Sequence, residues 1–141
     1  MIDIDVVKAK LAEVNALKFI GEAADFQAAA ENNPTITPAA YVIEMGETPE
    51  PNKLGDIIIQ KVSTSVGIVL VVKNLTDAKG VAAGADMRIL KREVKDKLYG
   101  FVPGEGCAPF ERGNGHLLAF QKGHMWWQDL YLTSYYDRSE Q

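Results

Sequence analysis

The chain has 141 residues, of which 47% are hydrophobic and 24% charged, and a formal net charge of −4. Those proportions fit one globular domain, residues 1–141, and exclude a disordered chain, while the acidic balance argues against nucleic-acid binding as the main task. The single cysteine, Cys107, excludes an intrachain disulfide, and no run approaches the ~20 apolar residues of a membrane-crossing helix.

The first residues, MIDIDVVKAK, open on acidic groups and have neither a basic leader nor a long apolar stretch, so no signal peptide is expected and the cytosol is the expected folding compartment. Ile4, Val7, Leu11 and Val14 recur at three- and four-residue steps, the stripe of an amphipathic helix that Asp3 or Asp5 can cap. Leu17, Phe19 and Ile20 lead into Gly21 as a short strand. Glu22–Glu31 is alanine-rich and predicts a second helix, stopped by Asn32-Asn33-Pro34. Ala39–Met45 predicts a strand with Tyr41 and Ile43 on one face and Val42 and Glu44 on the other. The segment Gly46–Gly55, with its prolines, glycines and glutamates, reads as an exposed loop.

The longest apolar run is Ile57–Asn74. Ile58, Val62, Thr64, Val66, Ile68, Leu70 and Val72 alternate with Lys61, Ser63, Ser65, Gly67 and Lys73, which is the two-residue period of a strand with one buried and one wetter face. Fully extended it would reach about 60 Å, so a bend or bulge at Gly67, or a hairpin near Ser63–Gly67, is expected. Thr76 or Asp77 is the expected cap of a long helix over Ala78–Tyr99, whose apolar stripe is Ala83, Met87, Leu90, Val94 and Leu98. Glu93 and Lys97 are spaced as an ion pair, and Gly100 is a natural stop. Val102–Asn114 reads as irregular. His116–Phe120 and Met125–Tyr136 predict strands joined through Gln121–His124, and Asp137–Gln141 a frayed end. The pattern as a whole predicts an α+β fold: a mainly antiparallel sheet with a long central strand or hairpin, flanked by two N-terminal helices and one long helix.

No catalytic constellation stands out. His116 and His124 have no cysteine or carboxylate at metal-ligand spacing, and hairpin polar groups are the plainer reading. The segment Lys79–Gly84 lacks the residues of a phosphate loop, no nucleophile elbow is present, and no basic group adjoins Cys107. The expectation is a protein that is not an enzyme and carries no cofactor or metal. Trp126, Trp127, Tyr131, Tyr135 and Tyr136 crowd one predicted strand, with large side chains on both faces. Either the strand is buried on both sides or one face meets another subunit. Arg88, Arg92 and Lys95 share one face of the long helix, either as a solvated face or as a patch toward a partner.

Trp126-Trp127-Gln128-Asp129 followed by Thr133, Tyr135-Tyr136 and Arg138 resembles the ending of tail terminator proteins of Mu-like and related tailed phages. Gly46 with Pro51-Asn52, the strand Gln60–Val62, the segment Val71-Val72-Lys73-Asn74, and Asp77 with Gly80 extend the resemblance along the chain. It implies a structural ring protein, usually a hexamer, made in the host cytoplasm and placed at the tail/neck junction of the virion. Such a ring caps the tail tube protein, stops its polymerisation and offers a joining surface to neck and connector proteins, with sheath protein a further partner in contractile tails. Neither a membrane nor specific nucleic-acid binding belongs to that role. On this reading Trp126, Trp127, Tyr131, Tyr135, Arg88, Arg92, Pro51 and Asn52 are the candidate subunit or partner interface. The alternatives are another neck or head-completion protein, or a small cytosolic ligand-binding or enzyme domain built on His116, His124, Glu44 and Asp129.

Overall fold

The computed structural model describes residues 1–74 and 80–139. Helix α1 (Ile4–Leu11) starts at Asp3, whose Oδ1 accepts from the backbone N–H of Asp5 at 3.0 Å and of Val6 at 3.4 Å, and it buries Val7 and Leu11. Strand β1 (Phe19–Gly21) leads into α2 (Ala23–Asn32), where the Glu22 N–H donates to Asp25 Oδ2 at 2.8 Å. Then come β2 (Ala39–Pro49), β3 (Ile59–Lys73), α3 (Val81–Leu98), β4 (Glu111–Gln121) and β5 (His124–Arg138). The expected α+β class is what the chain adopts. Its five strands form one sheet in the order β1-β2-β3-β5-β4, parallel only between β1 and β2.

The long apolar run forms a single strand. All of β3 pairs with β5, from Ile59 opposite Arg138 to Lys73 opposite His124, so the alternative of a hairpin at Ser63–Gly67 does not occur. The bulge expected at Gly67 does not occur either: β3 runs unbroken along β5, and the irregularity lies next door in β2, between Glu44 and Gly46, where Met45 has no partner on β3. Gly67 answers that bulge. A Cβ there would lie 3.1 Å from Met45 Sδ, so this glycine permits the close approach of a neighbouring side chain.

Several boundaries differ from expectation because tertiary pairing extends segments of weak local propensity. Gly46–Pro49 are not loop: they continue β2 opposite Ser65–Val62, and the Glu50 N–H reaches Lys61 O at 2.8 Å. Pro49 is tolerated because it ends a strand that, beyond Tyr41, has no strand on its outer side among the described residues. Glu111–Asn114, read as irregular, belong to β4, which bulges between Arg112 and Gly115 and again between Leu117 and Ala119. Asp137 and Arg138 do not fray; they pair with Gln60 and Ile59, and Ser139 follows with its N–H on Ile58 O at 2.8 Å. Glu140 and Gln141 lie outside the described residues, as do the expected cap at Thr76 or Asp77 and the helix start at Ala78. Described helix α3 begins at Val81 after Gly80, which has φ 81°, and Gly100 follows its end with φ 80°. The β4–β5 turn places Lys122 and Gly123 at φ 50° and 77°, the double positive-φ geometry of a tight hairpin.

Helices α1 and α3 cover one face of the sheet. Val66, Ile68, Leu70 and Val72 of β3 meet Val7 and Leu11 of α1 and Met87, Leu90 and Val94 of α3 there. The other face is apolar only in its upper half, where α2 brings Phe26 and Ala29 onto Tyr41, Val69, Val71 and Trp126. Its lower half, around Ser63, Ser65, Leu132 and Ser134, is an open groove of about 470 Å³. The wetter face expected for β3 is therefore real at Ser63 and Ser65 and absent at Val69 and Val71, which are fully buried.

Candidate assembly surface

The aromatic strand β5 splits its large side chains between the two faces. Trp126, 4% exposed, stacks on Tyr41 with ring centroids 6.5 Å apart, meets Phe26 edge-on at 6.0 Å, and donates from Nε1 to Asn33 Oδ1 at 3.1 Å. Tyr131 is fully buried against Phe110, with ring centroids 5.7 Å apart. Burial, aided by the charge of Asp129, pushes its hydroxyl up to about 12, and among the described residues that hydroxyl has no hydrogen-bond partner. Tyr135 is buried beside Val62 and Cys107, and its hydroxyl is raised by burial and by the Glu47 and Asp137 carboxylates. These three aromatics, expected as interface, are packed inside their own chain: Trp126 under α2, Tyr131 in the core beneath α1 and α3, and Tyr135 against Val62 and Cys107.

Trp127 is half-buried and belongs to a chain of polar contacts that ties three elements together. Lys91 of α3 holds its Nζ 3.6 Å from the Trp127 ring centroid. The indole Nε1 donates to Asp129 Oδ1 at 2.9 Å, and Arg112 of β4 donates from Nη2 to the same oxygen at 3.0 Å. Asp129 is 3% exposed, so this carboxylate is buried with two donors on one oxygen. Gly115 belongs to the same arrangement, because a Cβ there would overlap the Asp129 carboxylate. Spacing did not reveal Arg112, which lies seventeen residues from Asp129 in a segment read as irregular.

Pro51 is exposed, whereas Asn52 works inside its own turn. Its Oδ1 accepts from the Ile59 N–H at 2.9 Å, and its Nδ2 donates to Leu54 O at 2.7 Å and Ile57 O at 3.2 Å. Arg88 and Arg92 lie exposed on α3, with no carboxylate in salt-bridge contact among the described residues. Lys97 does not pair with Glu93; it reaches across to Glu13, 3.5 Å away, just after α1.

The residues of the alternative ligand site stay apart. His124 is buried at the top of β5 with Nδ1 3.1 Å from Lys122 O, His116 is exposed on β4 opposite Gln128, Glu44 sits on β2, and Asp129 is held by Arg112. Among the described residues no three His, Cys, Asp or Glu side chains converge, and no helix is long and apolar enough to cross a membrane. Among the exposed side chains are Leu117 and Leu118 on β4, Ile89 on α3, and Met45, Glu44 and Glu47 on β2.

No curated protein matches the sequence significantly. The family model described as phage tail terminator protein matches residues 1–141, the whole chain. The resemblance of the C-terminal aromatic segment and the loop residues thus extends to every element of the fold, and the chain belongs to the phage tail terminator protein family.

Proposed function

We propose that this protein is the structural ring that caps the tail tube, ends its polymerisation and presents the joining surface to the head and neck, in a hexameric arrangement. The observation that carries this reading is the family match along the entire chain. The shape of the subunit supports it. The sheet ends on one side at β4, which pairs only with β5, and on the other at β2, whose residues beyond Tyr41 have no strand outside them among the described residues. A subunit with two unlike open flanks can associate head to tail, and closure of that association gives a ring. The role is structural and calls on no catalytic residue or cofactor, and its partners are further copies, the tail tube protein and the neck or connector proteins, with sheath protein a partner in a contractile tail.

The test is polymerisation of the cognate tail tube protein with and without this chain, followed by negative-stain measurement of tube length. Addition at a stoichiometry of a few copies per tube end is expected to shorten the tubes and narrow their length distribution. Unchanged lengths at saturating concentration would overturn the reading.

A further inference from the structure

The charges on the two open flanks are opposite in sign. On β2 the bulge at Met45 changes the side on which the following residues fall: Glu44 pairs with Val66 and Glu47 with Thr64, two residues of the same buried face of β3. Without the extra residue, positions three apart would point to opposite faces. Glu44 and Glu47 therefore both stand on the α1 and α3 side of the sheet, at its β2 flank, whereas Glu50, whose N–H meets Lys61 O, falls on the other side. Glu44 and Glu47 are both exposed, and neither is in a salt bridge among the described residues.

The opposite flank is cationic on that same side. Lys97 on one side of α3 reaches Glu13 near α1, which lies over β1 and β2, whereas Lys91 on the other side reaches Trp127 on β5. Arg88 and Lys95 lie three residues before and four after Lys91, so they share its side of the helix, toward β4, and Arg92 lies next to them. Tyr99, 59% exposed, adds apolar surface beside these cations, with Lys95 Nζ 5.4 Å from its ring centroid. The bulge in β2 and the two bulges in β4 blunt both edges against simple strand addition, which leaves side chains to make the contact.

We propose that the partner of the cationic flank of α3 (Arg88, Arg92, Lys95) is the acidic β2 flank (Glu44, Glu47) of a second copy of this chain. Copies related by rotation about one axis keep their helix layers on the same side, so each copy gives one flank and receives the other. The inference rests on the ring reading above and names the contact that closes the ring.

Three variants test it: Arg88→Glu with Arg92→Glu, Glu44→Lys with Glu47→Lys, and all four together, each checked for an unchanged melting transition. In the tube-length assay each single-flank reversal is expected to weaken capping at least tenfold, and the fourfold variant to recover most of it. Single-flank variants that cap like the unaltered chain, or a fourfold variant no better than either, would overturn the contact while leaving the capping role intact. Carbodiimide coupling of mixed isotope-labelled and unlabelled chains gives an independent readout. Interchain links from Lys95 to Glu44 or Glu47 are expected even if tubes are not capped, and their absence in concentrated protein would overturn the contact by itself.

Discussion

At the scale of single residues, the family's aromatic ending works first as internal packing. Trp126→Ala removes a side chain enclosed by Tyr41 and Phe26 and leaves Asn33 without its donor. Denaturant unfolding should show a loss of about 3–5 kcal/mol; a loss below about 1 kcal/mol would mean the site is not core. Asp129→Ala should cost about 1–3 kcal/mol, since Arg112 and the Trp127 N–H lose their common acceptor. Arg112 keeps 34% of its side-chain exposure, which holds the cost below that of a fully buried pair. Asp129→Asn, which retains an acceptor oxygen, should recover part of the loss. Tyr131 carries the pH signature. Its hydroxyl is raised from 10.0 to about 12 in the folded chain by burial. The stability gained by keeping it neutral is full below pH 10 and declines as pH rises toward 12, because the unfolded chain releases that proton first. Tyr131→Phe should therefore flatten the alkaline fall in melting temperature, and at neutral pH it should hold or slightly raise stability, since the hydroxyl it removes is buried without a partner among the described residues. Composition and spacing exposed the aromatic crowding but not its use, because two-residue alternation says which side chains share a face and nothing about what covers that face.

At the scale of elements, the long apolar run and the stripe of α3 were legible because their periods of 2 and 3.6 persist over many residues. Gly46–Pro49 and Glu111–Asn114 were not. Their glycines, prolines and polar residues disfavour strands locally, and only pairing with β3 and β5, far away in sequence, makes them part of the sheet. The bulge at Met45 is invisible in the sequence for the same reason: the pattern points to Gly67, which accommodates the bulge from the neighbouring strand and does not form it. Gly67→Val should destabilise the fold by about 1–3 kcal/mol through collision with the Met45 side chain. Met45→Ala in the same chain should relieve a large part of that cost, and purely additive effects would refute the proposed contact. Asn52→Ala removes the side chain that ties the β2–β3 turn at three backbone groups and should cost about 1–2 kcal/mol by thermal unfolding, with no effect on the far end of the sheet.

At the scale of the molecule, the chain combines a well-covered helical face with a sheet whose two sides end differently. The candidate interface residues divide along that line. Trp126, Tyr131 and Tyr135 build the core and Asn52 builds a turn, whereas Arg88 and Arg92 remain on the surface and meet the acidic β2 flank of a neighbour in the arrangement we propose. Sequence alone could find the cations by helical spacing, but not Glu44 and Glu47 as their counterpart, because a bulge decides that those two share a face. The most direct test of the account is the position of the protein on assembled tail tubes. A gold-labelled chain mixed with preformed tubes of the cognate tube protein and imaged by electron microscopy should mark a single end of each tube, and marked ends should not grow when more tube protein is added. Label spread along the tube walls, or continued growth from marked ends, would contradict the capping role.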